Sequence, residues 1–521
     1  MLHDLIIDLT VIFCFIVQTH SLSPIQVFTS NNDGLRLTNL ENIPWSDSHP
    51  IHVAKSIRIT DDKFQRYDGI GGSFMRSGAK VLNSMPSHVQ ESILHDLFDP
   101  VEGAGFLLGK VPIGATDFGI PEWYTYADDL QNESLPFFSI SHDLEEDMGF
   151  IPYVQRAMKA AGRELLLEAT MDYPPWWMLN TSTPLPSADL NSTYLDVLAN
   201  YYLKYVQALS ENGINLEVLS LFNENPDSYI AASNENCQKL LVEYLGPLFK
   251  NYKGMPKLTW TEKFSRRITA EETPAFYEME GVEEYTDVIF YHGYDCNYGP
   301  AEGLGWQCDG LNTTCPYLAD ASKTMRDFYE KYGKNRTLWM TEVCYASEFG
   351  DYNETKGCAK LPRLDFQDMT QWGDMLFADF NIVGANGWIY WNMILDMAGG
   401  PWLVSPEHND PDPNPQQPVI VADPSTGRYY KTGVYYAMTH FGRFITPGSV
   451  RVGLVSSEDI PVTVSSTAFF DENSGTMVLV MMNKGSDAEI VNLEYGPSLK
   501  SSSAQLRLDP ISISTFIFSV A

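Results

Sequence analysis

Between residues 67 and 392 the chain repeats one unit: a short apolar run closed by polar groups, glycine or proline, then a stretch with helical periodicity. Runs of this kind lie at 67–74, 106–114, 164–171, 216–222, 257–262, 287–295, 337–344 and 388–392, and helical spacing is plainest at 88–98, 146–162, 194–212 and 235–250. A short apolar run without polar alternation fits a parallel strand covered on both faces. Eight strands alternating with helices predict an α/β fold, a (β/α)8 TIM barrel. The last ninety or so residues change character. Runs at 450–456, 461–470, 476–483, 488–495, 504–508 and 511–518 are separated by Gly, Ser, Asp and Asn turns and read as an all-β sandwich. An alternating run at 52–60 would complete that sandwich, bringing both chain ends together. The expected order is a signal peptide over 1–21, N-terminal strands over 22–62, the barrel over 63–445 and the sandwich over 446–521. With 521 residues, 44% hydrophobic and 13% aromatic, the chain can bury one large core and a smaller one.

Barrels of this type place their chemistry at the carboxyl ends of the strands. The fourth run delivers Phe222-Asn223-Glu224-Asn225-Pro226, and the proline stops the strand just past the acid. Alone, this pattern would fit a solvated strand end equally well. The seventh run has the same form and presents Glu342, 118 residues later, about three βα units on. Glu224 and Glu342 are therefore expected on strands four and seven, facing across the barrel mouth. Glu262, ending the fifth run, is a third candidate acid. Trp176 and Trp177 follow the third run and suggest a platform on which a sugar ring stacks, with core packing against the Pro174-Pro175 turn as the competing reading. The glycines of Gly69-Ile70-Gly71-Gly72 miss the dinucleotide spacing and read as a tight turn.

Residues 9–17 form an apolar segment followed by the small residues Thr19 and Ser21, the pattern of a secretory signal peptide, although Asp4 and Asp8 replace the usual basic lead. Sequons at Asn132, Asn180, Asn191, Asn312, Asn335 and Asn353 point the same way, as glycosylation sites of a secreted chain. No later apolar run reaches the ~18 residues of a membrane helix. Beyond Cys14, six cysteines remain, and bridges among Cys296, Cys308 and Cys315 are plausible. No CxxC or HExxH spacing occurs, so neither a metal nor another cofactor is expected. The net charge of −33 and pI of about 4.5 exclude nucleic acid as a partner. Near pH 5 the carboxylates begin to protonate, and binding to anionic membranes should rise as pH falls.

Asp68-Gly69-Ile70-Gly71-Gly72-Ser73-Phe74, Val111-Pro112 with Asp117-Phe118, Tyr124 to Asp128, Phe222 to Pro226, Thr341-Glu342-Val343-Cys344, Gly387-Trp388 with Trp391-Asn392, and Phe441 to Leu454 resemble glycoside hydrolase family 30, the glucosylceramidase or acid β-glucosidase group. The resemblance spans about residues 55–455. It implies the barrel and two-ended sandwich, retaining hydrolysis with Glu224 as acid/base and Glu342 as nucleophile, and sugar-binding roles for Asp117, Asn223, His292, Tyr294 and Trp391. The sequence departs from the family at Met171, where the family has tryptophan, at Arg76, where it has aspartate, and in the insertion after Trp402. These departures bear on which sugar is bound more than on the reaction.

In a retaining pair the carboxyls stand ~5 Å apart, one attacking the anomeric carbon while the other protonates the leaving oxygen and later activates water. Repulsion of ~3 kcal/mol, at an effective dielectric of ~20, would raise the acid by about two pKa units. Glu224 can then stay protonated in mild acid. Asn223 should hydrogen-bond the sugar 2-hydroxyl. Cys344, one alternation past the nucleophile, reads as a packed thiol or half a bridge. The expected substrate is glucosylceramide, cleaved to glucose and ceramide in sphingolipid catabolism. The alternatives are β-galactosylceramide, a β-1,6-glucan or xylan, or, in another class, a non-catalytic carbohydrate-binding protein. Retention of both glutamates and Asn223 argues against the last. The secretory pathway, ending in the lysosome or outside the cell, is the expected location, and a lipid-presenting activator protein is a candidate partner.

Overall fold

Each of the eight apolar runs becomes a parallel strand: Gly69–Ser73, Leu108–Pro112, Leu166–Thr170, Leu216–Phe222, Lys257–Thr261, Val288–His292, Thr337–Glu342 and Gly387–Asn392, barrel strands one to eight. The computed structural model describes residues 22–46, 55–120, 123–128, 134–183, 187–226, 230–296, 307–309, 312–333, 336–346, 358–366, 368–402, 414–496 and 502–520. The signal-peptide reading, and the sequons at Asn132, Asn335 and Asn353, fall outside these residues. Pairing follows chain order from strand one through strand five, with strands eight, seven and six on the other side of strand one. The ring closes where the Asp287 N–H donates to Leu258 O at 3.0 Å and the Thr259 hydroxyl to Val288 O at 3.0 Å.

Side chains on a strand alternate between barrel interior and helix layer. The lower interior is apolar, packed from Leu108, Val218, Val288, Phe290, Trp339 and Ile389. Two residues further along the same faces come Lys110, Ser220, His292, Thr341 and Trp391, with Glu168 two residues past Leu166. One turn of the pleat thus changes a greasy plug into a charged layer. Around the barrel, amphipathic helices bury their apolar stripes. The helix Leu195–Glu211, for example, buries Leu195, Leu198, Tyr202, Val206 and Leu209. The helix Phe150–Ala161 stops at Gly162, whose φ of 64° supplies the left-handed cap that side-chain-bearing residues avoid.

The strands Ile25–Asn31, Thr38–Ile43 and Ser56–Arg66 pair with six C-terminal strands, from Val450–Ser456 to Ser512–Ser519, as the expected two-ended sandwich. Its own core centres on Val452, Leu479, Leu493, Leu506 and Phe516. Alternate residues of the same strands, among them Phe469, Val480, Met482 and Ile513, join the barrel's core instead. The sandwich is therefore packed against the helix layer through one of its sheet faces. Among the described residues no helix is long and apolar enough to cross a membrane.

Of the cysteines, Cys296 bridges Cys315, a local pairing of the kind the spacing suggested, and Cys358 is also disulfide-bonded. Cys237 and Cys344 remain buried thiols. Asn180 and Asn191 lie in the loop after strand three: the first is exposed, and the second caps a short turn by accepting from the Thr193 N–H at 3.1 Å. Asn312 lies in a small hairpin strand, Asn312–Thr314.

Candidate active site

Glu224 stands two residues past strand four and Glu342 ends strand seven, on opposite sides of the barrel mouth. Glu342 is turned inward where the pairing of strands seven and six slips between Met340 and Glu342. Glu224 reaches its position with φ at 47°, the left-handed region that costs a residue other than glycine about 1 kcal/mol or more. Such strain persists only where surrounding contacts enforce it. One carboxylate oxygen of each glutamate and a ring nitrogen of His292 all lie within 4.8 Å of one another.

Three basic or polar groups fix this pair. Lys110 Nζ donates to Glu342 Oε2 at 2.9 Å, Glu262 Oε2 at 2.8 Å and Asn223 Oδ1 at 3.0 Å. The Tyr294 hydroxyl donates to the other carboxylate oxygen, Glu342 Oε1, at 2.8 Å. His292 bridges Glu224 Oε1 through Nδ1 at 2.6 Å and Glu262 Oε2 through Nε2 at 3.0 Å. Thr341 Oγ1 adds a bond to Glu262 Oε2 at 2.7 Å. Trp391 roofs the cluster, with Lys110 Nζ 5.9 Å from its ring centre.

The charges follow from these contacts. Burial works against the Lys110 ammonium, but Glu262, Glu342 and Glu168 outweigh it and hold it well above the usual lysine value. Burial likewise works against a cationic His292, yet Glu342 foremost, with the bonds to Glu224 and Glu262, lifts it to about 9. Burial opposes ionisation of Glu262, and there Lys110 and His292 win, keeping it an anion far below the normal carboxyl range. Glu262, read from sequence as a possible acid, is thus the fixed anion beneath the site. Glu224 goes the other way. Burial and the Glu342 charge raise it against the pull of His292, so the group with the 20% exposed side chain is the one poised to hold a proton.

Glu224, His292 and Glu342 also have the spacing of a three-ligand metal site. The Lys110 amine already sits against Glu342, and both ring nitrogens of His292 are committed to Glu224 and Glu262. That donor set does not fit a metal.

The other expected contacts divide. Asn223 is buried, its Oδ1 committed to Lys110 and its N–H donated to Met171 O at 2.8 Å. Asp117 lies half-buried in the turn after strand two, and Trp176 half-buried after strand three. Trp177 is structural, donating to Ala127 O at 2.8 Å and packing edge-on against Tyr194. Met171 is buried with its sulfur 3.7 Å from the Tyr202 hydroxyl. Arg76 donates to Ile120 O at 2.9 Å and pairs with Glu145 at 2.8 Å, pinning the loop after strand two. Asp143 pins the same loop by accepting from the Tyr124 and Tyr126 hydroxyls, and burial raises its carboxyl to about 7. The Cys344 sulfur lies 3.8 Å from the Tyr294 hydroxyl and 3.9 Å from Gln416 Oε1, a packed thiol. The insertion after Trp402 falls mostly outside the described residues.

The family model for the glycosyl hydrolase family 30 TIM-barrel domain matches residues 67–244 and 310–445. The chain belongs to glycosyl hydrolase family 30. The beta sandwich domain of family 30 matches residues 448–516. Among family 30 relatives, the lysosomal acid glucosylceramidase of Mus musculus is 25% identical over 441 residues, covering 82% of this chain and 76% of its own. The endo-1,6-beta-D-glucanase of Neurospora crassa is 22% identical over 450 residues, covering 82% and 81%. The crystal structure of SrfJ from Salmonella typhimurium has the same fold, with a TM-score of 0.77 at 19% identity over 95% of this chain and 99% of that one.

Proposed function

We propose that this family 30 chain is a retaining β-glycosidase acting on glucosylceramide, with Glu342 as nucleophile and Glu224 as acid/base. The observation that carries the mechanism is the spacing of the two glutamates. Oxygens within 4.8 Å suit direct attack, whereas an inverting pair stands ~6.5–9.5 Å apart to admit a water.

The surrounding charges suit both half-reactions. In the first, Glu342 attacks the anomeric carbon, Glu224 gives its proton to the leaving oxygen, and the glycosidic bond breaks. Negative charge thereby moves from Glu342, beside Lys110, to Glu224, beside His292. Each anion has a cation already in place, so little reorganisation is required. In the second, Glu224 takes a proton from water, whose oxygen attacks the anomeric carbon and releases Glu342. Asn223, held by Lys110, is placed for the 2-hydroxyl, and Trp391 for the apolar face of the ring. Asp117 and Trp176 are proposed contacts further from the reacting atoms.

Glucosylceramide is favoured by the relatives, since glucosylceramidases match this chain at 24–25% identity over most of its length. A β-1,6-glucan is the second reading, supported by the glucanase relatives. The proposed setting is an acidic compartment of the secretory pathway, where an acid poised above the normal carboxyl range stays protonated. The test is sugar release at pH 5 from glucosylceramide dispersed with anionic lipid, beside galactosylceramide, a β-1,6-glucan and xylan. Glucose from the first substrate alone is expected. Faster release from another would move the specificity, and failure of all four would favour the non-catalytic reading.

A further inference from the structure

Glu168, on strand three, lies directly beside Lys110 in the strand register and is fully buried. Its Oε1 is 3.9 Å from Lys110 Nζ, too far for a hydrogen bond, and neither of its oxygens has a hydrogen-bond partner. In the same layer, Glu262 concentrates three contacts on Oε2 and leaves Oε1 equally unpartnered. Two buried carboxyls with orphan oxygens in one layer can satisfy each other only if one carries a proton.

The charges say which one does. Facing Glu168 are Lys110 from strand two, Glu262 from the end of strand five, Glu342 from strand seven and Tyr205 from the helix layer, with His292 beyond. Lys110 and His292 balance Glu342 and Glu262. A third carboxylate would leave an uncompensated buried charge, which costs several kcal/mol. Burial, then the Glu262 charge, keeps the Glu168 carboxyl well above its usual range against the opposing pull of Lys110.

We propose that Glu168 is a positioning residue that works as a neutral acid: its proton bridges to Glu262 Oε1, and Glu262 then fixes Lys110 against Glu342 and His292 against Glu224. This rests on Glu224 and Glu342 being the reacting pair. Glu168 touches no substrate and loses no proton in the working cycle.

Three substitution readouts and one spectrum test it. Glu168→Leu is expected to lower kcat about 100-fold with little change in KM, the cost of a slightly displaced catalytic group. Glu168→Gln should recover most of that loss, because its amide is neutral and can donate to Glu262. The alkaline limb of the Glu168→Gln pH profile should stay at its wild-type position. An ionised Glu168 would act oppositely: removing its charge would ease ionisation of Glu224 and shift that limb to lower pH. Finally, the infrared difference between wild type and Glu168→Gln at pH 7 should contain a protonated-carboxyl band. An acid shift, absence of the band, or equal losses in both variants overturns the proposal, as does wild-type kcat in Glu168→Leu. The infrared result needs no activity and no Leu variant, so it decides even if that variant misfolds or the proposed substrate is wrong.

Discussion

Two histidines of the barrel domain are equally closed off from water, yet burial leaves one cationic and the other neutral. His292 sits at the mouth between Glu224 and Glu262 and is lifted to about 9. His440, in the helix Gly433–Gly442 at the seam with the sandwich, bonds Thr515 Oγ1 at 2.8 Å and Ser30 Oγ at 3.0 Å. Hydroxyls can accept from or donate to a neutral imidazole but cannot offset the desolvation of a cation. Burial, aided by Arg443, therefore drops His440 to about 3. Depth alone does not set the state of a buried group; the charge of its partners does. The mouth spends stability on a dense ionic network, and the seam stays neutral and simply packs.

The largest break in this contrast should come from Glu342→Gln. It removes the proposed nucleophile and also the charge that most favours the His292 proton. We expect kcat to fall roughly 10,000-fold or more, and the His292 titration, followed by NMR, to move down from about 9. Lys110→Met comes next. It leaves Glu342 and Glu262 facing each other without their shared cation, and urea unfolding should show a loss of about 3–5 kcal/mol, the usual cost of breaking a buried ion pair. Lys110→Arg should be milder.

The seam gives the smallest effect, with the opposite sign in pH. The folded value of His440 lies below its unfolded value of 6.5, so the unfolded chain binds more protons between pH 6.5 and 3. Its stabilisation is present above pH 6.5 and lost as pH falls. Between pH 7 and pH 5 this amounts to about 2 kcal/mol, and urea unfolding of His440→Gln should lack that part of the acid slope. His292 behaves in reverse: its contribution is complete below pH 6.5 and disappears as pH rises through about 9.

Both catalytic candidates were legible because each ends an apolar run with an acid, and the strand pattern itself placed them at one end of the barrel. The strands of the sandwich were legible through their turns. Lys110 and Glu168 were not, since each looks like a polar interruption within an otherwise apolar strand. Only the pairing of strands two and three turns the positions two past Leu108 and Leu166 into adjacent charges. Glu262 shows the same limit. Its strand-end location resembled that of an acid catalyst, but Lys110 and His292, from other strands, hold its carboxyl well below the usual range. Trp177 reads like half of a sugar platform until its indole N–H is seen to hold Ala127. The π-helical turns at Leu240–Leu245 and Asp379–Val383 also left no periodic trace in the sequence.

The most direct test of the proposed catalytic pair is to trap the covalent state it would form. Incubation with a 2-deoxy-2-fluoro-β-glucosyl fluoride, followed by proteolysis and mass spectrometry, should locate one fluoroglucosyl ester on Glu342, and Glu224→Gln should not move it. A label on Glu224, or continued turnover of the fluorosugar with no ester formed at all, would contradict the assignment of Glu342 as nucleophile.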